Sequence, residues 1–450
     1  MPASPADSAI YRDLFSDQDT ARLFTDSAQI RAMLLVEGAL ARVQGRLGLI
    51  PETAAAYIER AAREIQIDPA ELAAETARNG VPVPGLIAAF RKAMQAPEHA
   101  QYLHWGATSQ DIMDSALALR LRRVTEIWNT RLTELARTLA GLARDHADLP
   151  MAARTYGQLA TPSSFGAVVA GWGHPVLRHR TRLAALAPEL ATLSLGGAAG
   201  TLSAMGADGP AIRAALAREL GLTDPGHSWH AERDHIGGFA AWMAGLCASL
   251  GKMGEDLILM TQSGIDEIRI DGAGGSSTMP QKQNPVAPSV LVALARQTAA
   301  LSAAIQGAGL HRQQRDGAAW FVEWLTLPQL CISTGCALEL ALDLAGCITP
   351  NAAAMARNLD DGHGLIHAES YSFALARHMP RPEAQARIKA LCVEAQSSGQ
   401  TLPDLIARYF PALDLSAAGG LGTAPADARD FANEVFAGGG PPRTSPAARD

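Results

Sequence analysis

Apolar residues recur at three- and four-residue steps through four long stretches of this chain, the spacing of one helical face. The clearest is 115–140, SALALRLRRVTEIWNTRLTELARTLA, which holds neither Gly nor Pro. Residues 239–263, 286–306 and 318–347 repeat the pattern. Asn284-Pro285 precedes the third stretch and Asn351 follows the fourth. Both read as helix starts, because an Asn side chain accepts from first-turn amides and Pro fits the first turn. Period-two alternation is scarce, and no Gly-rich turn follows a strand-like run, so a dinucleotide-binding sheet finds no support. The pattern predicts an all-α protein whose apolar stripes pair in a bundle, within the chain or across subunits.

Gly, Thr, Ser, Asn and Asp interrupt the helical pattern near 106–114 and 348–362. The expected domains are a helical N-terminal domain over 1–110, a central bundle over 111–350 and a helical C-terminal domain over 351–437. Residues 438–450, rich in Gly and Pro, read as a flexible tail. Composition narrows the class. Of 450 residues, 48% are apolar and 18% charged, which excludes a disordered chain. A net charge of −7 leaves no basic footprint for nucleic acid. Five cysteines without a CxxC pair argue against a disulfide scaffold and fit a reducing, cytoplasmic setting. No basic segment followed by an apolar one opens the sequence, so a signal peptide is not expected. The apolar run around Cys336 is broken by Glu339 and Asp343, and a membrane span is not expected either.

Chemistry is concentrated in loops. The stretch Gly272-Ala273-Gly274-Gly275-Ser276-Ser277-Thr278-Met279-Pro280-Gln281-Lys282-Gln283-Asn284-Pro285 joins glycines, two serine hydroxyls, an ammonium and an amide, and runs into a helix start. Backbone amides there favour an anion. A solvent-exposed linker is the other reading of the same composition.

The string GSSTMPQKQNP within it closely resembles the GSSxMPxKxNP loop of the fumarase/aspartase superfamily. Two further segments follow that resemblance. His104-Trp105-Gly106-Ala107-Thr108-Ser109-Gln110-Asp111 looks like the superfamily's first site segment, and Arg154 to Pro162 looks like its second, T-H-x-Q-x-A-x-P. The resemblance runs from about Ile30 to Phe436. It implies a three-domain, cofactor-free homotetramer with a long central helical bundle and active sites shared between subunits. HWGATSQD, Trp229-His230-Ala231-Glu232-Arg233-Asp234, the stretch Trp320 to Pro328 and Leu375 to Arg381 are most similar to the bacterial 3-carboxy-cis,cis-muconate cycloisomerases. The implied substrate is a small polycarboxylate, with no metal, no nucleic acid and no membrane involved. The resemblance makes Ser276 and Lys282 catalytic. It makes Asn284, Thr108, Ser109, His104, Thr155, Tyr156, Gln158, His230, Arg233 and Ser277 substrate-binding.

Departures sharpen the reading. Tyr156 stands where many superfamily lyases carry a histidine acting as general acid. An amine or hydroxyl leaving group needs a proton, and a phenol of pKa about 10 replaces imidazole poorly. A lactone's leaving group is a carboxylate of pKa about 4 and needs none. Gln313-Gln314-Arg315, Gln283 and Leu159 also depart from the closest family, which leaves a differently substituted muconate, such as a sulfomuconate, as an alternative. A fumarate-releasing β-eliminating lyase and a non-catalytic scaffold are the other rivals. His227, His230 and His235, at spacings of three and five, do not share a helical face as metal ligands would. His363 and His367 are expected at a helix start after Asp360-Asp361. Ser276 lacks the G-x-S-x-G elbow of a hydrolase.

Overall fold

The computed structural model describes residues 4–272, 274, 275, 279, 282–413 and 420–437. All four periodic stretches are helices: Ser109–Asp145, Asp234–Met260, Val286–Ala308 and Gly317–Cys347. Asn351 caps the helix Ala352–Leu359, its side chain accepting from the Ala354 amide. Pro285 directly precedes Val286–Ala308 and accepts from the Ser289 amide at 3.1 Å. The fold is all-α in its framework; the strands described form three two-stranded antiparallel ladders.

Periodicity misses two long helices. Asp26–Arg46 packs on Glu52–Glu64 through glycine, because a Cβ at Gly45 would sit 2.4 Å from the Ala55 methyl. Phe165–Leu190 contains Gly171, Gly173 and Pro175, residues that read as breakers in a sequence. A Cβ at Gly173 would lie 2.0 Å from the Phe431 ring, so this glycine seats the helix Ala424–Ala437.

The chain divides into two compact units. The first runs to Leu132 and adds Arg178–Ala248 and Ala293–Glu339. Its core includes Met33, Leu34, Leu86, Phe90 and Ile112, side chains whose full burial is worth roughly 1.5–3 kcal/mol each. A stack of Trp128, Phe239 and Trp242 extends it, with Trp128 and Phe239 5.7 Å apart and Phe239 and Trp242 5.8 Å apart. The second unit comprises Thr133–Leu177, Ser249–Val292 and the described residues from Leu340 onward. Tyr371, Leu375, Ile388, Leu402 and Leu405 form a cluster within it. The expected boundaries at 110/111 and 350/351 fall in the first turn of Ser109–Asp145 and just before Asn351. The tail expected over 438–450 lies outside the described residues.

Two helices, Val286–Ala308 and Gly317–Cys347, are long and apolar enough to cross a bilayer by length and composition. The most apolar window of the second is 61% buried inside the chain, as in a core helix, and that of the first 39%.

Candidate active site

In the first unit the loop 104–108 delivers its side chains to the start of Ser109–Asp145. Gly106 has φ 74, and a Cβ there would meet Met205 at 2.9 Å, so glycine is required on both counts. Thr108 stands immediately before the helix, and Asp111 reaches back to accept from its amide at 2.9 Å. This is the acidic half of a capping box. Thr108 and Ser109 are half-buried beside the first-turn amides, where a carboxylate is favoured.

Asp111 is fully buried and accepts three more hydrogen bonds, from the amides of Gly196 at 2.7 Å and Gly197 at 2.9 Å and from His230 Nε2 at 2.7 Å. A Cβ at Gly196 would sit 2.5 Å from Ser228 Oγ and 3.1 Å from His230 Cε1, so the loop closes on the imidazole only through glycine. His104, at φ 64, places Nδ1 2.6 Å from Oε1 of Glu37, whose side chain is fully buried. Burial alone would depress the imidazole pKa. The Glu37 carboxylate overrides that and holds it above its ordinary value, with Asp111 acting in the same sense.

Arg233 is held within the chain by two carboxylates. Expected to bind substrate, its guanidinium has 1% side-chain exposure and is spent on Asp114, at 2.8 and 3.3 Å, and on Glu323, at 3.0 and 2.5 Å. Burial alone would lower its pKa, and the two carboxylates raise it instead. Burial pushes the Glu323 carboxyl up, against the pull of Arg233. A buried triad of this kind is costly to break, and it takes four of the five guanidinium N–H donors. His230 is also buried, but it lines a cavity of about 430 Å³ with Gly200, Ser228, Glu232, Gln313 and Gln314. Arg315 is an exposed cation near this imidazole. Its Nε donates to Gln110 Oε1 at 2.7 Å, and its Nη2 lies 3.5 Å from His230 Nδ1.

The three neighbouring histidines go to separate partners. His227 Nε2 meets Glu232 at 3.0 Å, His230 meets Asp111, and His235 packs edge-on to the Trp229 ring. Among the described residues no group of three or more His, Cys, Asp or Glu is arranged to hold a metal.

In the second unit Arg154 to Pro162 falls in a β-hairpin, Pro150–Thr155 with Gln158–Ser164. Tyr156 and Gly157 form its two-residue turn at φ 52 and 74, the left-handed pair that a type I′ hairpin turn demands. Thr155 and Gln158 pair across the turn; both are exposed, and Tyr156 is 105% exposed. The hairpin is anchored by Arg154, which donates to buried Glu267 at 2.9 and 2.8 Å. In the loop 272–285, Gly274 pairs with Asn284 and Gly275 with Gln283. Lys282 is exposed and Asn284 half-buried. Ser276 and Ser277 lie outside the described residues. His363 and His367 flank a short helical start at which Asp361 accepts from the amides of His363 to Ile366.

A family model described as lyase matches residues 6–299. The chain belongs to this lyase family of the fumarase/aspartase superfamily. The lyase is 41% identical over 378 residues to a 3-carboxy-cis,cis-muconate cycloisomerase of Pseudomonas aeruginosa, covering 83% of this chain and 82% of that protein. The 3-carboxy-cis,cis-muconate lactonizing enzyme from Pseudomonas putida matches it with a TM-score of 0.88 at 34% identity, over 95% of this chain and 99% of its own. A fumarate lyase from Mesorhizobium sp. BNC1 matches with a TM-score of 0.86 at 32% identity, over 93% and 98%.

Sequence reading missed several of the lyase's site-forming residues. Asp111 lies within the HWGATSQD motif, and its place three residues after Thr108 signals a capping box. Glu37 could have been flagged as a lone carboxylate inside the apolar run MLLVEGAL. The pairings of Arg315 with Gln110 and of Arg233 with Asp114 and Glu323 are long-range, and no local signal gives them.

Proposed function

We propose that this chain is a cofactor-free cycloisomerase that closes 3-carboxy-cis,cis-muconate to 4-carboxymuconolactone in protocatechuate catabolism. The observation that carries this reading is the hairpin tip: Tyr156, at the position of the superfamily's proton-donating histidine, is a phenol. In lactonisation one substrate carboxylate adds to a conjugated carbon–carbon double bond. The attacked carbon is β to a second carboxylate, on which an enediolate develops. One proton then reaches carbon, so atoms balance without any cofactor. The nucleophile is already anionic, and the site has to orient the diene, stabilise the enediolate and supply that proton. Orientation alone is worth several kcal/mol, since effective molarities of about 10⁵ M are reached when the reacting groups are held aligned.

Ser276 exchanges the carbon-bound proton in this reading, and Lys282 and Asn284 stabilise the enediolate. Removing one such donor costs roughly 3 kcal/mol of transition-state stabilisation. Thr108, Ser109, His104, Thr155, Tyr156, Gln158 and Ser277 receive the carboxylates. A charged His104, favoured by Glu37, and Arg315 supply counter-charge. The working form is a homotetramer with sites shared between subunits. The solvent-facing apolar surface of Val286–Ala308 and the bare tip around Tyr156 support that. A cytoplasmic location fits the five free thiols.

The test is ultraviolet absorbance of 3-carboxy-cis,cis-muconate with the purified protein and no added metal. Rapid loss of the diene band with a lactone as product is expected. An unchanged band from folded protein overturns the reading. Release of fumarate from adenylosuccinate or argininosuccinate would instead establish the β-eliminating alternative, which the likeness to a fumarate lyase keeps in view.

A further inference from the structure

Asp111 accepts at both oxygens: from Gly196 N–H and His230 Nε2 at Oδ1, and from Thr108 and Gly197 N–H at Oδ2. A carboxylate so placed only accepts, so the proton between it and His230 sits on Nε2, and in the Nε2–H tautomer Nδ1 carries the lone pair. That lone pair faces Nη2 of Arg315 at 3.5 Å, and a guanidinium only donates. Gln110, also fully buried, closes the arrangement. Its carbonyl oxygen takes Arg315 Nε at 2.7 Å, and its amide donates to His230 O at 2.8 Å and Asp114 Oδ2 at 3.1 Å. The exposed Arg315 is thus held on two buried acceptors, whose orientation is set in turn by Asp111 and by the Arg233 triad.

We infer that Asp111 and His230 are positioning residues: Asp111 fixes the Nε2–H tautomer of His230, whose Nδ1, with Gln110, aims the Arg315 guanidinium at a substrate carboxylate. His230 therefore touches arginine rather than substrate. Among the described contacts Nε and Nη2 are taken, which leaves Nη1 for the ligand. The carboxylate role rests on the function proposed above; the tautomer lock does not.

Two measurements test this. Nitrogen NMR of histidine-labelled protein should find the proton of His230 on Nε2 and the lone pair on Nδ1. In Asp111→Asn, whose amide can donate to Nε2, the proton should move to Nδ1. A protonated Nδ1 in the native chain overturns the proposal whatever the substrate proves to be. The second is a double-mutant cycle on muconate turnover, for which native activity is the control on the function itself. Asp111→Asn should lower kcat/KM about a hundredfold, mostly through KM, as expected of a misplaced binding group. The loss should vanish in an Arg315→Met background, because the pair acts only through that arginine. Additive losses would show a separate role and sink the proposal. If Asp111→Asn fails to fold, His230→Asn and His230→Leu replace it in the cycle. Asn keeps an oxygen near the Nδ1 position, so it should lose at least fivefold less than Leu; equal losses overturn the idea.

Discussion

Glu37 has no exposed surface, and its Oε2 is buried without a hydrogen-bond partner while Oε1 meets His104. A half-satisfied buried carboxylate is expensive unless it serves a charge. Here it does: burial pushes His104 toward the neutral form, and Glu37 reverses the sign. In the native chain His104 should therefore titrate above its ordinary value near 6.5, and in Glu37→Gln below it, as an NMR titration would read. At pH 7 that variant should bind a tricarboxylate substrate about tenfold more weakly, the loss of roughly one charge-assisted contact. An imidazole that titrates identically in both proteins would refute the coupling. Linkage fixes the stability consequence. The folded value is raised, so the pair's contribution is complete below about pH 6.5 and fades as pH rises through the folded value.

The element most dependent on one residue is Phe165–Leu190. A Cβ on Gly166, in its first turn, would lie 2.4 Å from the Ala143 carbonyl oxygen, 2.7 Å from Ala147 Cα and 2.8 Å from the His146 carbonyl oxygen. All three obstacles are backbone, so no rotamer relieves them. Gly166→Ala should destabilise the protein by about 1–3 kcal/mol in urea denaturation. Gly141→Ala serves as control; that glycine is within Ser109–Asp145 with nothing inside 4 Å of a Cβ, and it should gain about 0.5–1 kcal/mol. A harmless Gly166→Ala would mean that the two helices are less tightly apposed. These glycines also show where sequence reading stops. Helices whose stripes are uninterrupted, such as Ser109–Asp145, are legible from spacing alone. Phe165–Leu190 is not, because what makes Gly166 and Gly173 necessary is the Ala143 to Ala147 backbone and the Phe431 ring. The hairpin 150–164 escaped as well, since its turn is Tyr-Gly rather than Asn-Gly and its strands do not alternate.

At the scale of the whole molecule, the candidate site was legible as strings but not as partnerships. Thr108-Ser109 is legible only through the family resemblance, and the Lys282 loop through that resemblance together with its glycines, hydroxyls and ammonium. That Arg233 is consumed by Asp114 and Glu323, more than eighty residues away on either side, follows only from the fold. Buried charge of this kind also shapes stability across pH. His235 is held down to about 4, by burial first and then by the Arg233 cation. His179 is held down to about 4, by burial first and then by Arg182 and Arg178. For both, the unfolded chain takes up a proton near pH 6.5 and the folded one only near 4. Between those values the unfolded state binds more protons, so stability is complete above about 6.5 and drains away as pH falls toward 4. His104 acts on the other flank, losing its contribution as pH rises. The two effects occupy separate windows, and together they place maximal stability near neutrality. At fixed protein concentration, the urea midpoint should fall steadily from pH 7 to pH 4.5. It should fall less in a His179→Gln, His235→Gln double variant, whose replacements carry no titrating group. Equal slopes in the two proteins would refute the assignment of the loss to these two histidines, and Asp17 could not take their place. Burial raises that pKa, Arg131 more than offsets it, and the lowered folded value confines Asp17's loss to more acidic solution, below about pH 4.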